Sequence, residues 1–250
     1  MPAASGGLVP DLPDRSGRWA DLGLRVVSAL VLAPIAIACV WLGGIAFVSV
    51  VIALAVGLAL EWRGLLRAGR RRGGFRPFSR TDWLATWAAV GLGYVLLAAA
   101  AVLWLRSDPL AGRANVLFLL CVVWSSDVGA YLLGRWIGGP RMAPRTSPGK
   151  TWSGAAGGLL AAIAAGLLAA HVLSDAPPWR AIPAATLLTV VAQGGDLLES
   201  FVKRRLEVKD SGHLIPGHGG LFDRLDGLLA AAPVAALLAL ILGRGVVLWQ

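Results

Sequence analysis

Residues 26–60 read VVSALVLAPIAIACVWLGGIAFVSVVIALAVGLAL and contain no charged side chain. A water-soluble protein of 250 residues cannot bury so long an uncharged stretch, whereas one membrane span needs about 20 mostly apolar residues. Residues 26–42 and 45–60 are therefore predicted to be two membrane spans, joined by a tight turn at Gly43 and Gly44. The stretch indicates a helical protein that crosses a membrane several times.

The composition of the whole chain agrees with this prediction. Of its residues, 57% are hydrophobic and 15% are charged, whereas soluble domains are about 45–50% apolar and about 25% charged. Further apolar runs predict five more spans, which gives an all-α, polytopic integral membrane protein with about seven transmembrane helices. These runs are residues 83–105, 115–134, 152–172, 182–195 and 225–242.

Basic residues are concentrated in alternate loops of this prediction. Residues 63–80, 135–151 and 203–218 follow the second, fourth and sixth spans and hold most of the Arg and Lys side chains. Because Lys and Arg mark the cytoplasmic side of membrane proteins, these loops and the amino terminus are predicted to face the cytoplasm. A polar cavity among the spans would open to the same side.

Two carboxylates interrupt the predicted spans. Asp127 lies in the fourth apolar run and Asp196 in the sixth. An ionised side chain at the centre of a span costs about 2.5–3.5 kcal/mol, so such a residue is by default functional or paired. Asp196, Ser200 and Lys203 share one helical face, which suits the lining of an ion-containing cavity. The alternative is that both carboxylates lie near the cytoplasmic interface.

Two loop segments have a composition suited to phosphate. Residues 135–141 read RWIGGPR and residues 147–151 read SPGKT, which combines cations, hydroxyls and glycines. Glycine lets the backbone approach a ligand closely, and the start of a following helix favours an anion. Basic loops are also general in membrane proteins, so topology alone stays an open explanation.

Residues 200–227 read SFVKRRLEVKDSGHLIPGHGGLFDRLDG and hold the densest group of charges. Asp223 and Asp226 follow a Gly-rich turn at the start of the last span. Mg²⁺ is typically bound by one or two carboxylates together with substrate phosphate oxygens, and Lys and Arg bind the phosphates themselves. The segment therefore predicts a site for a metal and a nucleotide such as CTP or ATP.

This segment resembles the signature of the phosphatidate cytidylyltransferase (CDP-diacylglycerol synthase) family. The matching residues are Ser200, Val202, Lys203, Arg204, Lys209, Asp210, Pro216, His218, Gly219, Gly220, Asp223, Arg224, Leu225 and Asp226. Asp127, Ala130, Tyr131, Gly134, Arg135, Ser147, Pro148, Lys150 and Thr151 are also spaced as in that family. The similarity covers about residues 115–242. Members of the family often carry Glu or Gln at the position of Ser153. They also tend to have more than seven spans, so a count of eight or nine spans stays an alternative for this chain.

The resemblance implies a reaction of CTP with phosphatidic acid, which gives CDP-diacylglycerol and pyrophosphate for phospholipid biosynthesis. It implies dependence on Mg²⁺, leaves open a second cation such as K⁺, and implies a homodimer in the inner cell membrane with no nucleic-acid partner. The chain is predicted to divide into an N-terminal tail (residues 1–21), an N-terminal transmembrane region (22–110) and a catalytic transmembrane region (111–250) whose cytoplasmic signature loop is 200–227.

Specific roles follow for the matching residues. Asp196 and Asp223 are predicted to hold the metal and, with Lys203 and Lys209, to form the catalytic group. Substrate binding is predicted for Lys150, Ser147, Ser200, Arg204, His218, Gly219, Gly220, Arg224, Asp127 and Asp226. For Asp226, a structural pair with Arg224 or a favourable interaction with the helix dipole is an equal alternative.

Two other classes of protein share some of these features. A transporter would also carry carboxylates within the membrane, but it does not explain the dense charged segment at 200–227. The second alternative is another lipid enzyme that uses CTP or a CDP-alcohol, such as a polyprenol kinase or a CDP-alcohol phosphotransferase. The Asp-Gly-x-x-Ala-Arg run of the phosphotransferases is absent, since no Arg follows Asp226-Gly227-Leu228-Leu229-Ala230.

Overall fold

The computed structural model describes residues 32–72, 80–208 and 220–250, with the side chains of all of these except 72 and 80–84. The helices are α1 (Leu32–Leu42), α2 (Gly44–Arg72), α3 (Arg80–Arg106), α4 (Gly112–Ile137), α5 (Trp152–Leu173), α6 (Ala181–Arg205) and α7 (Phe222–Leu242). A 3₁₀ turn at Pro178–Arg180 precedes α6, and two short strands, β1 (Arg141–Ala143) and β2 (Ser147–Thr151), lie between α4 and α5. Residues Cys39–Gln250 form one compact unit.

Six of the described helices, α2 to α7, are long and apolar enough to cross a membrane. They correspond to the second to seventh predicted spans, so the prediction of an all-α, polytopic membrane protein is confirmed. The first predicted span began at residue 26, and its described part is α1; residues 26–31 lie outside the described residues.

Two helices extend well beyond the predicted spans. Residues 63–72, expected in a basic loop, continue α2, because Leu and Arg favour helices and Leu65 and Leu66 are buried against the core. The sixth helix likewise continues past residue 195 to Arg205. Hydropathy places the end of a span where charged residues begin, whereas the helix can continue with its apolar side chains packed on the protein and its Arg side chains exposed.

The predicted loop at 135–151 contains an antiparallel β-hairpin. Arg141 pairs with Thr151, and Ala143 pairs with Ser147. The Thr151 side chain then caps α5 by accepting a hydrogen bond of 3.1 Å from the Gly154 N–H, which satisfies one of the free donors of a helix start. This cap fixes the end of the hairpin to the first turn of α5.

Small residues allow α4, α5 and α6 to pack closely. A Cβ atom on Gly129 of α4 would lie 2.7 Å from the Gly157 carbonyl oxygen of α5, so only glycine permits this approach. Gln193 of α6 donates hydrogen bonds to the Ser126 hydroxyl at 3.3 Å and the Ala155 carbonyl at 3.2 Å. The central parts of α4, α5 and α6 are therefore held in one register.

The carboxy-terminal segment packs against the first turns of α4. The buried amide of Asn115 accepts a hydrogen bond from Leu248 N–H at 2.9 Å and donates one to the Val246 carbonyl at 3.1 Å. Trp249 is 1% exposed and stacks on Phe118 with ring centroids 4.5 Å apart. These contacts make Leu248 and Trp249 part of the folded core.

Candidate active site

Described parts of α2, α6, α7 and the β-hairpin lie close to one another in the structure. The guanidinium Nε of Arg204, near the end of α6, donates to the Thr146 carbonyl in the hairpin turn at 3.2 Å. The indole of Trp62 on α2 packs on Phe222 at the start of α7, with ring centroids 5.7 Å apart. These contacts place the end of α6 beside the hairpin and α2 beside the start of α7.

Three carboxylates meet in this region. One oxygen each from Asp196 and Glu199 on α6 and from Asp226 on α7 lie within 4.8 Å of one another. Asp196 and Glu199 are three residues apart, so they share a helix face. A Cβ on Gly195 would lie 2.9 Å from the Asp226 carbonyl oxygen, so this glycine lets α7 come close enough to complete the cluster.

Two lysines form ion pairs with carboxylates of this cluster, and one of them also pairs with a neighbouring carboxylate. Lys203 Nζ lies 3.3 Å from Glu199 Oε1 and also pairs with Asp223. Lys150, from β2 of the hairpin, pairs with Asp196. Asp223 also accepts a hydrogen bond of 3.0 Å from the Gly220 N–H, which fixes the carboxylate that orients Lys203.

The arrangement can hold cations and phosphates at once. Three carboxylates this close repel one another, and a bound cation relieves that repulsion. Hard divalent cations take oxygen ligands of this kind, and the two ammonium groups beside them suit phosphate oxygens. The geometry therefore fits chemistry on a phosphate ester with a metal ion.

A family model described as the cytidylyltransferase family matches residues 78–242. This chain belongs to the cytidylyltransferase family. Its relatives include the phosphatidate cytidylyltransferase of Brucella suis biovar 1, which is 40% identical over 245 residues, 85% of this chain and 91% of the relative. The protein of that name from Rickettsia bellii is 32% identical over 226 residues, 86% of this chain and 89% of the relative. The one from Pseudomonas aeruginosa is 37% identical over 173 residues, 68% of this chain and 64% of the relative.

The family resemblance inferred from the sequence is thus confirmed, and the structure places many of the predicted site residues of this cytidylyltransferase together. Those at the carboxylate and lysine cluster are Asp196, Lys203, Asp223, Asp226, Lys150 and Gly220. Asp127 on α4 lies within electrostatic range of Asp196 and Lys150. Lys209, His218 and Gly219 lie outside the described residues.

The remaining predicted residues lie on the same elements as the residues of the cluster. Ser147 lies in β2 and Ser200 on α6, and both are half-buried. Arg204 and Arg224 are exposed, and Arg204 is the residue bonded to the hairpin turn. Their positions are compatible with a ligand that reaches the cluster from this end of the helices.

The carboxylates group differently from the predicted metal pair of Asp196 and Asp223. The structure groups Asp196 with Glu199 and Asp226, while Asp223 pairs with Lys203. Glu199 was missed by the sequence analysis, although its spacing carried a signal. It lies three residues after Asp196 and four before Lys203, on the face already expected to line a cavity.

A second missed residue is Glu61 on α2. Its side chain is 3% exposed, and its two carboxylate oxygens accept hydrogen bonds from the N–H groups of Leu221 and Phe222, each at 2.8 Å. Acidic side chains at a helix start satisfy free N–H groups and favour the helix dipole. Glu61 therefore positions the turn of α7 that carries Asp223 and Asp226.

Proposed function

We propose that this protein transfers the cytidylyl group of CTP to phosphatidic acid, which gives CDP-diacylglycerol and pyrophosphate. The observation that carries the proposal is the cluster of Asp196, Glu199 and Asp226 with Lys150 and Lys203 beside it, at the end of helices able to span a membrane. Relatives that cover most of the chain carry the name phosphatidate cytidylyltransferase.

The carboxylate cluster is the proposed binding place for Mg²⁺. Asp196, Glu199 and Asp226 would hold the ion, since Mg²⁺ prefers carboxylate oxygens and leaves further positions for substrate phosphates. When bound, the ion neutralises charge on the phosphate oxygens that react. Asp223, the other predicted ligand, has the separate role of orienting Lys203.

The lysines act on the substrates directly. A phosphate oxygen of the lipid attacks the α-phosphorus of CTP, a new P–O bond forms, and the bond to the bridging oxygen of the leaving pyrophosphate breaks. Such transfers depend mainly on positioning and on charge neutralisation. Lys150 and Lys203 place ammonium groups where the phosphates meet, and Glu199 with Asp223 holds Lys203 in that position.

The location of the site suits one lipid and one soluble substrate. Phosphatidic acid keeps its acyl chains in the bilayer and presents its phosphate at the interface, whereas CTP arrives from water. The basic segments at this end favour the cytoplasmic face. The proposal places the site on the cytoplasmic side of the inner membrane. It also includes a homodimer and a second cation such as K⁺. Light scattering of the detergent-solubilised protein tests the dimer.

The reaction is tested by incubating the purified protein with CTP labelled at the α-phosphate and Mg²⁺. The lipid is phosphatidic acid, a polyprenol, or none. The expected result is a labelled nucleotide-lipid and pyrophosphate with phosphatidic acid alone. Consumption of CTP with formation of an unlabelled polyprenyl phosphate would instead indicate a kinase. The absence of a CTP-dependent product with any lipid would contradict the proposal.

The metal site is tested with charge-neutralising variants. Asp226→Asn and Glu199→Gln are expected to raise the Mg²⁺ concentration for half-maximal activity by at least about tenfold, as losses around metal sites commonly do. They should also reduce the thermal stabilisation that Mg²⁺ gives without substrate, because only a ligand that binds the folded state stabilises it. Asp175→Asn, exposed between α5 and α6, is the control and should change neither measurement. Unchanged Mg²⁺ dependence in both site variants would remove these carboxylates from the metal site.

A further inference from the structure

An apolar cavity of about 70 Å³ lies between α2, α3 and α7. All of its lining side chains are Val, Leu or Ala. Three of them, Leu58, Val95 and Leu229, are 3%, 1% and 5% exposed, so part of the wall belongs to the packed interior. Ala98 and Ala232 are small side chains that also line the space.

One end of the cavity adjoins the carboxylate cluster. Leu225, which lines the cavity, directly precedes Asp226. On α3, Tyr94 directly precedes the lining residue Val95, and its phenol lies within electrostatic range of Asp226 and Glu199. A molecule with its polar end at the carboxylates and lysines would therefore have this cavity directly beside it.

The cavity extends from the site toward the middle of the bilayer. Its lining on α7 runs from Leu225 to Ala232, which is about 10 Å along a helix that rises 1.5 Å per residue. One leaflet of the hydrocarbon core is about 15 Å thick, half of the usual thickness. The cavity thus follows most of the path that a lipid tail takes in one leaflet.

We propose that this cavity receives one fatty acyl chain of the phosphatidic acid substrate. The inference rests on the proposed function. An apolar cavity of this kind disfavours water, and the lipid phosphate bound near Lys203 would bring its own tail to the opening. Bilayer tails are as apolar as the cavity walls, so the contact adds little affinity. It positions the phosphate, which makes the reaction sensitive to chain length.

The test fills the cavity and compares two lipids. Ala98→Leu places a larger side chain in the cavity, and the control Ala100→Leu makes the same change at an exposed position of the same helix. Activity is measured with dipalmitoyl and with dihexanoyl phosphatidic acid in mixed micelles. Ala98→Leu is expected to lower kcat/KM for the dipalmitoyl lipid by about tenfold, the scale of one misplaced methylene in an apolar pocket. The dihexanoyl lipid, whose shorter tails occupy less of the cavity, should lose less activity than the dipalmitoyl lipid.

Other outcomes separate this inference from the proposed function. Equal losses on both lipids, or the same result for Ala98→Leu and Ala100→Leu, would overturn the acyl-chain site while leaving the activity of the unmodified protein intact. Failure of the unmodified protein to convert either lipid would instead overturn the proposed function. If Ala98→Leu does not accumulate as folded protein, Ala98→Val and Ala232→Leu make smaller or more distant changes in the same cavity. A lack of chain-length discrimination in these two variants would also reject the site.

Discussion

Glu61 on α2 and Phe222 at the start of α7 are joined by a buried hydrogen bond of 2.8 Å, with the carboxylate accepting from the backbone N–H. The other oxygen of Glu61 accepts from Leu221 N–H at the same distance. Only 3% of the Glu61 side chain is exposed. The N-terminal part of the protein therefore holds the helix turn that supplies Asp223 and Asp226 to the candidate site.

Glu61→Ala should weaken both folding and activity. Removal of the carboxylate leaves two buried N–H groups without their acceptor, and each such group costs about 1–3 kcal/mol. The apparent Tm in detergent should fall, and the Mg²⁺ concentration for half-maximal turnover should rise because Asp226 loses its fixed position. Arg63→Ala, exposed on the same helix, is the control. A variant with lower Tm and unchanged Mg²⁺ dependence would show that Glu61 is structural only.

The sequence could predict the helices but not this contact. Hydropathy located α2 to α7 because each must match the thickness of the bilayer. Glu61 was interpreted as the polar end of a span, since no residue near it in the sequence indicates that α7, which begins 161 residues later, lies beside it. A contact of this kind depends on how closely the helices pack. For example, α3 can pack closely on α2 because Gly91 leaves room for the Trp62 ring.

Lys203 is expected to be essential for turnover. Its ammonium group is held by Glu199 and Asp223, so it is already positioned for charge that develops on the phosphates. Lys203→Met should lower kcat by about 10²–10³-fold, the usual effect of losing one preorganised charge partner in an active site. Arg205→Met is the control, because Arg205 is exposed two residues further along α6 and its guanidinium lies over Phe201 at 5.0 Å.

Asp223 and Asp226 should respond differently to the same change. If Asp223 orients Lys203, Asp223→Asn lowers kcat and leaves the Mg²⁺ dependence as in the unmodified protein. Asp226→Asn, in the carboxylate cluster, shifts the Mg²⁺ dependence. Titration of both variants with Mg²⁺ at saturating CTP measures the difference, and identical shifts would place Asp223 among the metal ligands after all.

The same pair shows where sequence reasoning about the site succeeded and where it stopped. The signature at 200–227 brought the family and most charged residues to notice. Which carboxylates lie together depends on how α6 is rotated against α7, and these two helices approach closely at Gly195. Glu199 was readable from its spacing, whereas the pairing of Lys150 with Asp196 required the hairpin, which loop composition did not reveal.

Asn115→Leu is expected to release the carboxy-terminal segment. Asn115 is 2% exposed and holds Leu248 and Val246 through both polar atoms of its amide. The variant leaves a buried N–H and a carbonyl unpaired at about 1–3 kcal/mol each, and 1 kcal/mol corresponds to about 2–4 °C in Tm for a chain of this size. Limited proteolysis should then cut after residue 242 in the variant before the unmodified protein. Equal protection in both would contradict a structural role for Asn115.

Asp108, in the turn between α3 and α4, should make stability depend on pH. The hydrogen bond from the Ala111 N–H, followed by those from Gly245 and Leu110, holds the pKa of Asp108 below its ordinary value. A carboxylate with a lowered folded-state pKa contributes stability that is complete above its unfolded pKa of about 4 and is lost as the pH falls through the folded-state value. The apparent Tm of the unmodified protein should therefore exceed that of Asp108→Asn near neutral pH, and the gap should narrow below about pH 4, where the carboxyl becomes protonated. Thermal unfolding of both proteins in detergent across this range measures the gap. Asp175→Asn is the control for general acid effects, and a gap that stays constant down to acid pH would show that the charge on Asp108 does not stabilise the turn.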